Sequence, residues 1–305
     1  MTAHTTNAVR SRSRKSGPPR LHIGVKRQAQ IGHGVVHVIL ILWSIMLLIP
    51  FFWTISTSIK QYKDIFVWPP IWIPIPPQWV NYRDALTTLP FGKFAVNTAV
   101  IVFFGVLGTV LSSSLVAFGF ARLRFPGRDT LFLIMLATMM LPGVVTLIPV
   151  FVLMSRLHWV NTPLPLIVPH YFGGGAFNIF LLRQYLAGIP LDMDDAGRID
   201  GCTNLGLYWR IIAPQSLHGL AIVGIFTFMG MYHDFMGPLL YLKDLNQLTL
   251  AVGLNFFRGL AGQGGQTYYH WLMAASTVIM IPPLLVFFFA QRYFIQGIVI
   301  TGVKG

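Results

Sequence analysis

The densest group of chemically active side chains lies just after Pro190, where three aspartates and one arginine fall within seven residues. Carboxylates this close together can bind a metal or act as general bases. Pro190, however, is placed to open a helix. Asp192, Asp194 and Asp195 then fall in the first helical turn, where carboxylates favour the positive end of the helix. The pattern therefore favours a charged helix start over catalysis.

The same helix is predicted to carry a docking surface. Arg198 lies four residues after Asp194 and three after Asp195, so both pairs can meet on one helical face. Such exposed pairs contribute only about 0.2–0.5 kcal/mol each, so their value would lie in fixing a surface. Ala196 and Gly197 keep one side of the helix small, which predicts close approach by another protein.

A second helical segment is predicted after Gly201, which is placed to end the first helix in the left-handed conformation. Its larger side chains recur at helical spacing before Pro214, and they are Leu205, Tyr208, Trp209 and Ile212. The two segments predict a helix–turn–helix hairpin at the cytoplasmic membrane surface. An interfacial hairpin without a partner is the alternative.

The composition is that of a membrane protein. Of the 305 residues, 54% are hydrophobic and 10% charged, against about 25% charged in soluble domains. Continuous apolar runs of about 20 residues indicate helices that cross a bilayer rather than barrel strands. The sequence predicts an all-α bundle of six spans, at 35–57, 96–118, 131–154, 164–184, 217–242 and 271–291. Pro142 in the third span, Gly173–Gly175 in the fourth and Pro282 in the sixth predict bent or locally broken helices.

The distribution of basic residues predicts the topology. If both termini are cytoplasmic, fifteen of the 22 lysines and arginines lie inside and seven outside, as the positive-inside rule requires. This topology also explains the net charge of +13, so a nucleic-acid partner is not needed to account for it. It divides the chain into a basic cytoplasmic arm, 1–30, and a transmembrane domain, 31–305. That domain carries an external loop at 58–95 and a cytoplasmic loop at 185–216.

The external loop is rich in proline and tryptophan. Five prolines between Pro69 and Pro77 exclude a regular helix. Trp68, Trp72 and Trp79 suit a membrane–water interface. The loop is interpreted either as a dock for an external binding protein or as a cover packed on the spans.

A few polar side chains in or beside the spans are candidates for a transport path, because such residues within membranes are commonly functional. Tyr232 offers an aromatic face on which a ligand could stack, and His233, Asp234 or Asn178 could hydrogen-bond to polar groups of that ligand. The alternative for Asp234 is a hydrated or helix-capping carboxylate near the membrane surface.

Several catalytic and energy-coupling motifs are absent from the sequence. It has no Gly-x-x-x-x-Gly-Lys-Ser/Thr motif for binding ATP. Its nine acidic residues are all aspartate, and Cys202 is its single cysteine. The sequence therefore has no ATP-binding site of its own, so any ATP-driven activity would take its energy from partners.

The hairpin resembles the coupling loop of ATP-binding-cassette (ABC) importer permeases, which carries Glu-Ala-Ala, then Asp-Gly, then a proline before the next span. Asp195-Ala196-Gly197, Asp200-Gly201 and Pro214 follow that order, with Asp for Glu and Gly for the second Ala. Near the C-terminus, 291–297 and 303–305 resemble the maltose-type second permease subunit of carbohydrate importers.

This resemblance implies the type I ABC importer permease fold and half of the translocation path for a sugar, expected to be a di- or oligosaccharide. It implies a bacterial or archaeal plasma membrane location, contact with membrane lipid, a homologous second permease, an external sugar-binding protein and two ATPase subunits that bind ATP and Mg. A self-sufficient secondary transporter and a membrane-embedded glycosyl-transfer enzyme are the alternatives. The implied ATPase-coupling residues are Asp194, Asp195, Ala196, Gly197, Arg198, Asp200, Gly201 and Pro214.

Overall fold

The computed structural model describes the backbone of residues 23–260 and 268–302 and the side chains of 33–257 and 268–292. Residues 1–22 of the predicted arm lie outside the described residues. Within the described backbone the regular elements are all helical. The α-helices are α1 Ile23–Ser58, α2 Val80–Thr88, α3 Phe91–Arg122, α4 Arg128–Thr138, α5 Gly143–Arg156, α6 Leu164–Ile167, α7 Ala176–Ala187, α8 Asp192–Ile199, α9 Asn204–Leu207, α10 Ala213–Gln215, α11 Leu217–Tyr232, α12 Met236–Tyr241, α13 Leu250–Leu260, α14 Tyr269–Ile279 and α15 Ile281–Gly302.

Among the described residues, four helical segments are long and apolar enough to cross a membrane. The number rises to as many as six if each of two bent pairs of helices is counted as one span. The four are 33–58, 91–122, 164–187 and 269–292. The bent pairs are α4 with α5, at 97°, and 204–215 with α11, at 78°. The six-span interpretation therefore depends on counting each bent pair as one crossing.

The predicted third span, 131–154, is not a continuous helix. Pro142 has φ −61° and ψ 133°, which is an extended backbone, and α5 begins at the next residue. A proline ring clashes with the preceding turn, so the helix ends and the chain turns sharply. The predicted fifth span, 217–242, is also interrupted, because α11 ends at Tyr232 and the short α12 follows.

Helix α3 is the central packing element of the chain from Trp53 onward, since α7 and α11 both pack along it. Its first half contributes Phe94 and Val102 to one core cluster, together with Tyr232 and Phe257. Its second half contributes Phe118 to another cluster, which contains mainly residues of α7 and of the hairpin. The hairpin is therefore part of the hydrophobic core that holds α3 and α7 together.

The fourth span is broken at Gly173–Gly175, as the glycine run predicts. All three glycines have positive φ, a region that L-residues with a Cβ rarely adopt. Gly174 also lies directly on α3, because a Cβ there would be 2.7 Å from the carbonyl oxygen of Thr109. The Ser112 hydroxyl donates to the carbonyl of His170 at 2.8 Å and fixes the broken segment on α3.

Candidate functional site

The first half of the hairpin is α8, and its C-terminal end has the geometry that the sequence predicts. Gly201 has φ +81°. Its N–H donates to the Arg198 carbonyl at 3.0 Å, and the Cys202 N–H donates to the Gly197 carbonyl at 2.9 Å. These two bonds are the Schellman motif, which satisfies the last carbonyls of a helix. The hairpin therefore turns at a fixed position and angle.

Asp194 occupies a different environment from the two aspartates beside it. Its side chain is 3% exposed, and its Oδ1 lies 3.6 Å from Nη1 of Arg122, which is 1% exposed. Arg122 is the last residue of α3, and its Nη2 also donates at 2.8 Å to the carbonyls of Leu186 and Ile189. One arginine thus joins the end of α3, the end of α7 and the start of α8.

Of the two aspartates that the spacing allows to meet Arg198, Asp194 faces Arg122 instead. Asp195 makes the pairing, with its Oδ1 3.8 Å from Nη1 of Arg198, and both side chains are about half exposed or more. Sequence spacing allowed both pairs. The rotation of α8 about its axis decides between them, because it turns Asp194 toward α3 and Asp195 toward solvent.

Gly197 also faces inward, which corrects the prediction that it leaves room for another protein. A Cβ at Gly197 would lie 2.6 Å from Cδ1 of Ile211 and 2.9 Å from Cδ1 of Leu207. The close approach that glycine permits is therefore between the two halves of the hairpin. Ala196, by contrast, is exposed.

The outward face of α8 is a mixed charged and apolar surface. It contains the exposed Asp195–Arg198 pair and Ile199, which is 85% exposed. Leu191 is also exposed on this face, at 59%, so the surface presents apolar as well as charged groups. The exposed residues of this face, which we call the docking face, are Leu191, Asp192, Asp195, Ala196, Arg198, Ile199, Asp200 and Gly201.

The second half of the hairpin is built into the core. The Thr203 hydroxyl accepts from the Gly206 N–H at 3.2 Å and caps α9. A π-helical turn, Tyr208–Ile212, follows, and the Tyr208 hydroxyl bonds to the Ser114 hydroxyl of α3 at 2.6 Å. Pro214 lies in α10, immediately before the bend into α11. The second half of the hairpin is thus attached to α3 and leads directly into α11.

A groove of about 750 Å³ lies between the docking face and the end of α3. Arg124, from the loop after α3, and Arg128, the first residue of α4, line it together with Arg198. Its titratable lining residues are Arg122, Arg124, Arg128, Asp194, Asp195 and Arg198, so four arginines stand against two aspartates. The excess positive charge suits an acidic surface. Sequence reasoning placed these arginines on the cytoplasmic side but missed the groove that they share.

The predicted substrate-path residues do not form one site. Tyr232 and His233 line a cavity of about 530 Å³, which Asn255, Tyr269 and Ser276 also line. The Tyr232 hydroxyl donates to the Ile279 carbonyl at 2.8 Å, so this side chain also joins α11 to α14.

Asp234 and Asn178 lie elsewhere. Asp234 lines a separate cavity of about 230 Å³ with His170, and its Oδ1 accepts from the Gly237 N–H at 3.1 Å. It therefore caps α12, as the alternative interpretation proposed. Asn178 donates to the Gly174 carbonyl at 2.8 Å and so stabilises the break in the fourth span.

The hairpin lies inside the region that a known protein family matches. The model of the family described as binding-protein-dependent transport system inner membrane component matches residues 108–300, from the middle of α3 into α15. The chain belongs to this family. It is therefore a transport component of the inner membrane that crosses the bilayer several times, rather than an enzyme.

Curated proteins are also similar to this inner membrane component over most of their length. The probable ABC transporter permease protein YurM of Bacillus subtilis is 30% identical over 295 residues, which cover 94% of this chain and 95% of YurM. The arabinooligosaccharides transport system permease protein AraQ of Bacillus subtilis is 31% identical over 213 residues, covering 70% and 74%.

A solved structure has the same fold as this inner membrane component. A chain of a bacterial ABC transporter involved in the import of the acidic polysaccharide alginate superposes with a TM-score of 0.76 at 22% identity. The alignment covers 88% of this chain and 98% of that chain. The fold is thus that of an ABC importer permease, as the sequence resemblance implies.

Proposed function

We propose that this inner membrane component is one of two permease subunits of an ABC importer for a di- or oligosaccharide. The family match across the hairpin supports the transport role. The proposal that the substrate is a sugar is supported by the similarity to an arabinooligosaccharide permease. In this proposal a homologous permease completes the path, and an external binding protein delivers the sugar.

The docking face is proposed to bind a cytoplasmic ATPase subunit. The observation that carries this proposal is the division of α8 into a side fixed to α3 by the Arg122–Asp194 pair and an opposite side left exposed. ATP and Mg would bind to two such ATPase subunits. Movement of either ATPase on α8 would then reach the spans through Arg122 and the core contacts of the second half of the hairpin.

The cavity at Tyr232 is proposed to contact the sugar. At about 530 Å³ it falls within the roughly 300–1,000 Å³ of typical small-molecule sites. Tyr269 offers an aromatic face, and Asn255, His233 and Ser276 offer groups that can donate to and accept from hydroxyls. Asp234 and Asn178 are given structural roles here, because each already bonds a nearby backbone group.

Coupling is tested on the chain co-purified with its partners and reconstituted in liposomes. Ile199→Asp places a charge on the docking face at a side chain that is 85% exposed, so the fold should be retained. We expect the ATPase subunits to dissociate and sugar-stimulated ATP hydrolysis and uptake to be lost. Ile199→Leu is the matched control and should retain both activities.

The outcomes of this experiment separate the possibilities. If Ile199→Asp transports sugar at the wild-type rate with its ATPase bound, the docking face is wrongly assigned. If the wild-type chain purifies alone and still moves a sugar, the proposed dependence on an ATPase is wrong.

Contact with sugar is tested separately by uptake kinetics at the Tyr232 cavity. Tyr269→Ala removes the aromatic face, and Tyr269→Phe keeps it while removing the hydroxyl. We expect Tyr269→Ala to raise the KM for uptake much more than Tyr269→Phe does. Equal and wild-type KM values for both variants would exclude this cavity from the sugar path without affecting the coupling proposal.

A further inference from the structure

The segment 65–79, which we call the Trp-Pro loop, has an unusual combination of composition and exposure. None of its 15 residues is charged, and five are proline. Trp68 is 88% exposed, Ile75 is 87% and Ile73 is 71%. Its other exposed apolar side chains are Phe66, Val67, Trp72 and Trp79. An apolar surface of this kind on a folded chain indicates contact with a lipid or a protein.

The loop folds back along the end of α1 instead of extending away from it. The Ser56 hydroxyl donates to the Trp72 carbonyl at 2.5 Å. The Trp72 ring packs edge-on against Trp53 at 5.2 Å between centroids. Because a helix rises 1.5 Å per residue, Trp53 lies roughly 7–8 Å below the end of α1 at Ser58. The Trp72 side chain therefore lies beside Trp53, at a depth before the end of α1 rather than beyond it.

The depth at which Trp53 and Trp72 meet coincides with the edge of the hydrocarbon core, as counted along α1. A helix needs about 20 apolar residues to cross the hydrocarbon core, and the apolar run of α1 begins at Val35. The far edge of the hydrocarbon core therefore falls near Ile55, between Trp53 and Ser58. A second contact agrees with this level, because the Phe66 ring lies 5.9 Å from the ring of Tyr269 at the start of the last span.

The chemistry of the loop fits lipid better than it fits a protein. A protein interface needs roughly one hydrogen bond per 100–200 Å², but proline has no N–H to donate and the loop has no charged group. Tryptophan, by contrast, concentrates at the headgroup level of membranes. The loop carbonyls also require the hydrated interface rather than the hydrocarbon core.

The base of the loop is held rigidly. The Gln78 N–H donates to the Ile59 carbonyl at 2.8 Å, and the Asn81 side chain donates to the carbonyls of Ser58 and Lys60 at 2.9 Å. Lys60 is fully buried, with its ammonium 3.8 Å above the ring centre of Trp53. These contacts fix the direction in which the exposed side chains point.

We propose that the Trp-Pro loop is a membrane anchor whose exposed tryptophan and isoleucine side chains insert into the headgroup region of the leaflet at the Ser58 end of α1. By the predicted topology this is the outer leaflet. The anchor holds the ends of the first and last spans at a fixed depth, and it is distinct from any surface that receives the binding protein.

The test uses single cysteines in the assembled transporter in a Cys202→Ser background. Trp68→Cys and Ile75→Cys are labelled with a small fluorophore and reconstituted in nanodiscs of phosphatidylethanolamine and phosphatidylglycerol that contain phosphatidylcholine brominated near the headgroup. Lys63→Cys, an exposed charged position just before the loop, is the matched control. We expect the brominated lipid to quench the labels at 68 and 75 but not at 63, with no change when the binding protein is added.

Three results would overturn the anchor. Labels at 68 and 75 that aqueous iodide quenches and brominated lipid does not would place the loop in water. Protection from iodide only after the binding protein is added would make the loop a docking surface. Labels that neither quencher reaches in the full complex would mean that another subunit covers the loop.

Discussion

Replacing Asp194 by asparagine keeps the shape of the side chain and removes the charge that Arg122 faces. At 3.6 Å and an effective dielectric constant of about 20, the gross attraction is roughly 4–5 kcal/mol. Breaking a buried ion pair from one side costs about 3–5 kcal/mol, because the other charge stays buried. Arg122 keeps its two carbonyl partners, so we expect the lower value, about 3 kcal/mol.

This cost is local, since it detaches the start of α8 from α3. It is measured as amide hydrogen exchange of residues 192–202 in the reconstituted transporter, where local opening controls the rate. A loss of about 3 kcal/mol corresponds to roughly hundredfold faster exchange. We also expect sugar-stimulated ATP hydrolysis to fall, because α8 would no longer transmit movement to α3.

Asp195→Asn is the matched control, since it changes the neighbouring carboxylate in the same helical turn. Its pair with Arg198 is exposed and contributes about 0.2–0.5 kcal/mol, so exchange should rise no more than about twofold to threefold. If the two variants exchange equally fast, the Arg122–Asp194 pair does not hold the hairpin and the coupling route through Arg122 is wrong.

Three further predictions concern single residues. Gly201→Ala should destabilise the turn of the hairpin by about 1–2 kcal/mol, because Gly201 has φ +81° and alanine is strained there. Gly201→Asn should lose less, and equal exchange rates at Cys202 in both variants would contradict this reason. Gly174→Ala should lower the yield and melting temperature of the purified protein, because its Cβ would meet the Thr109 carbonyl at 2.7 Å, whereas Gly173→Ala has 3.7 Å of clearance and should lose less. Lys60→Met should raise the melting temperature near pH 7, because burial lowers the pKa of Lys60 from its usual 10.5 and protonating it in the folded state costs stability. That cost disappears as the pH rises toward 10.5, so the advantage of Lys60→Met should shrink there; an advantage that does not depend on pH would refute this explanation.

The sequence predicted the fold class and the approximate positions of the apolar segments, because length and hydropathy alone decide whether a helix can cross a bilayer. The prolines and glycines inside the apolar segments also predicted bent or broken helices, but not that the chain would turn by as much as 97° near Pro142. A proline within an apolar run can kink a helix slightly or end it, and packing decides which. At Gly173–Gly175 the break was predictable, because three successive glycines weaken a helix wherever they lie.

The hairpin was predicted in outline from Pro190, Gly201 and the helical spacing after it, because these signals act between neighbours in the chain. Its orientation was not predictable, since the 3.6-residue period defines the faces of a helix without stating which face is buried. Only the tertiary structure brings Arg122, 72 residues earlier, to Asp194 and leaves Asp195 in solvent. Local sequence thus determined where α8 begins and ends. Contacts between distant segments decided which of its carboxylates fixes the helix to the spans and which lies on the docking face.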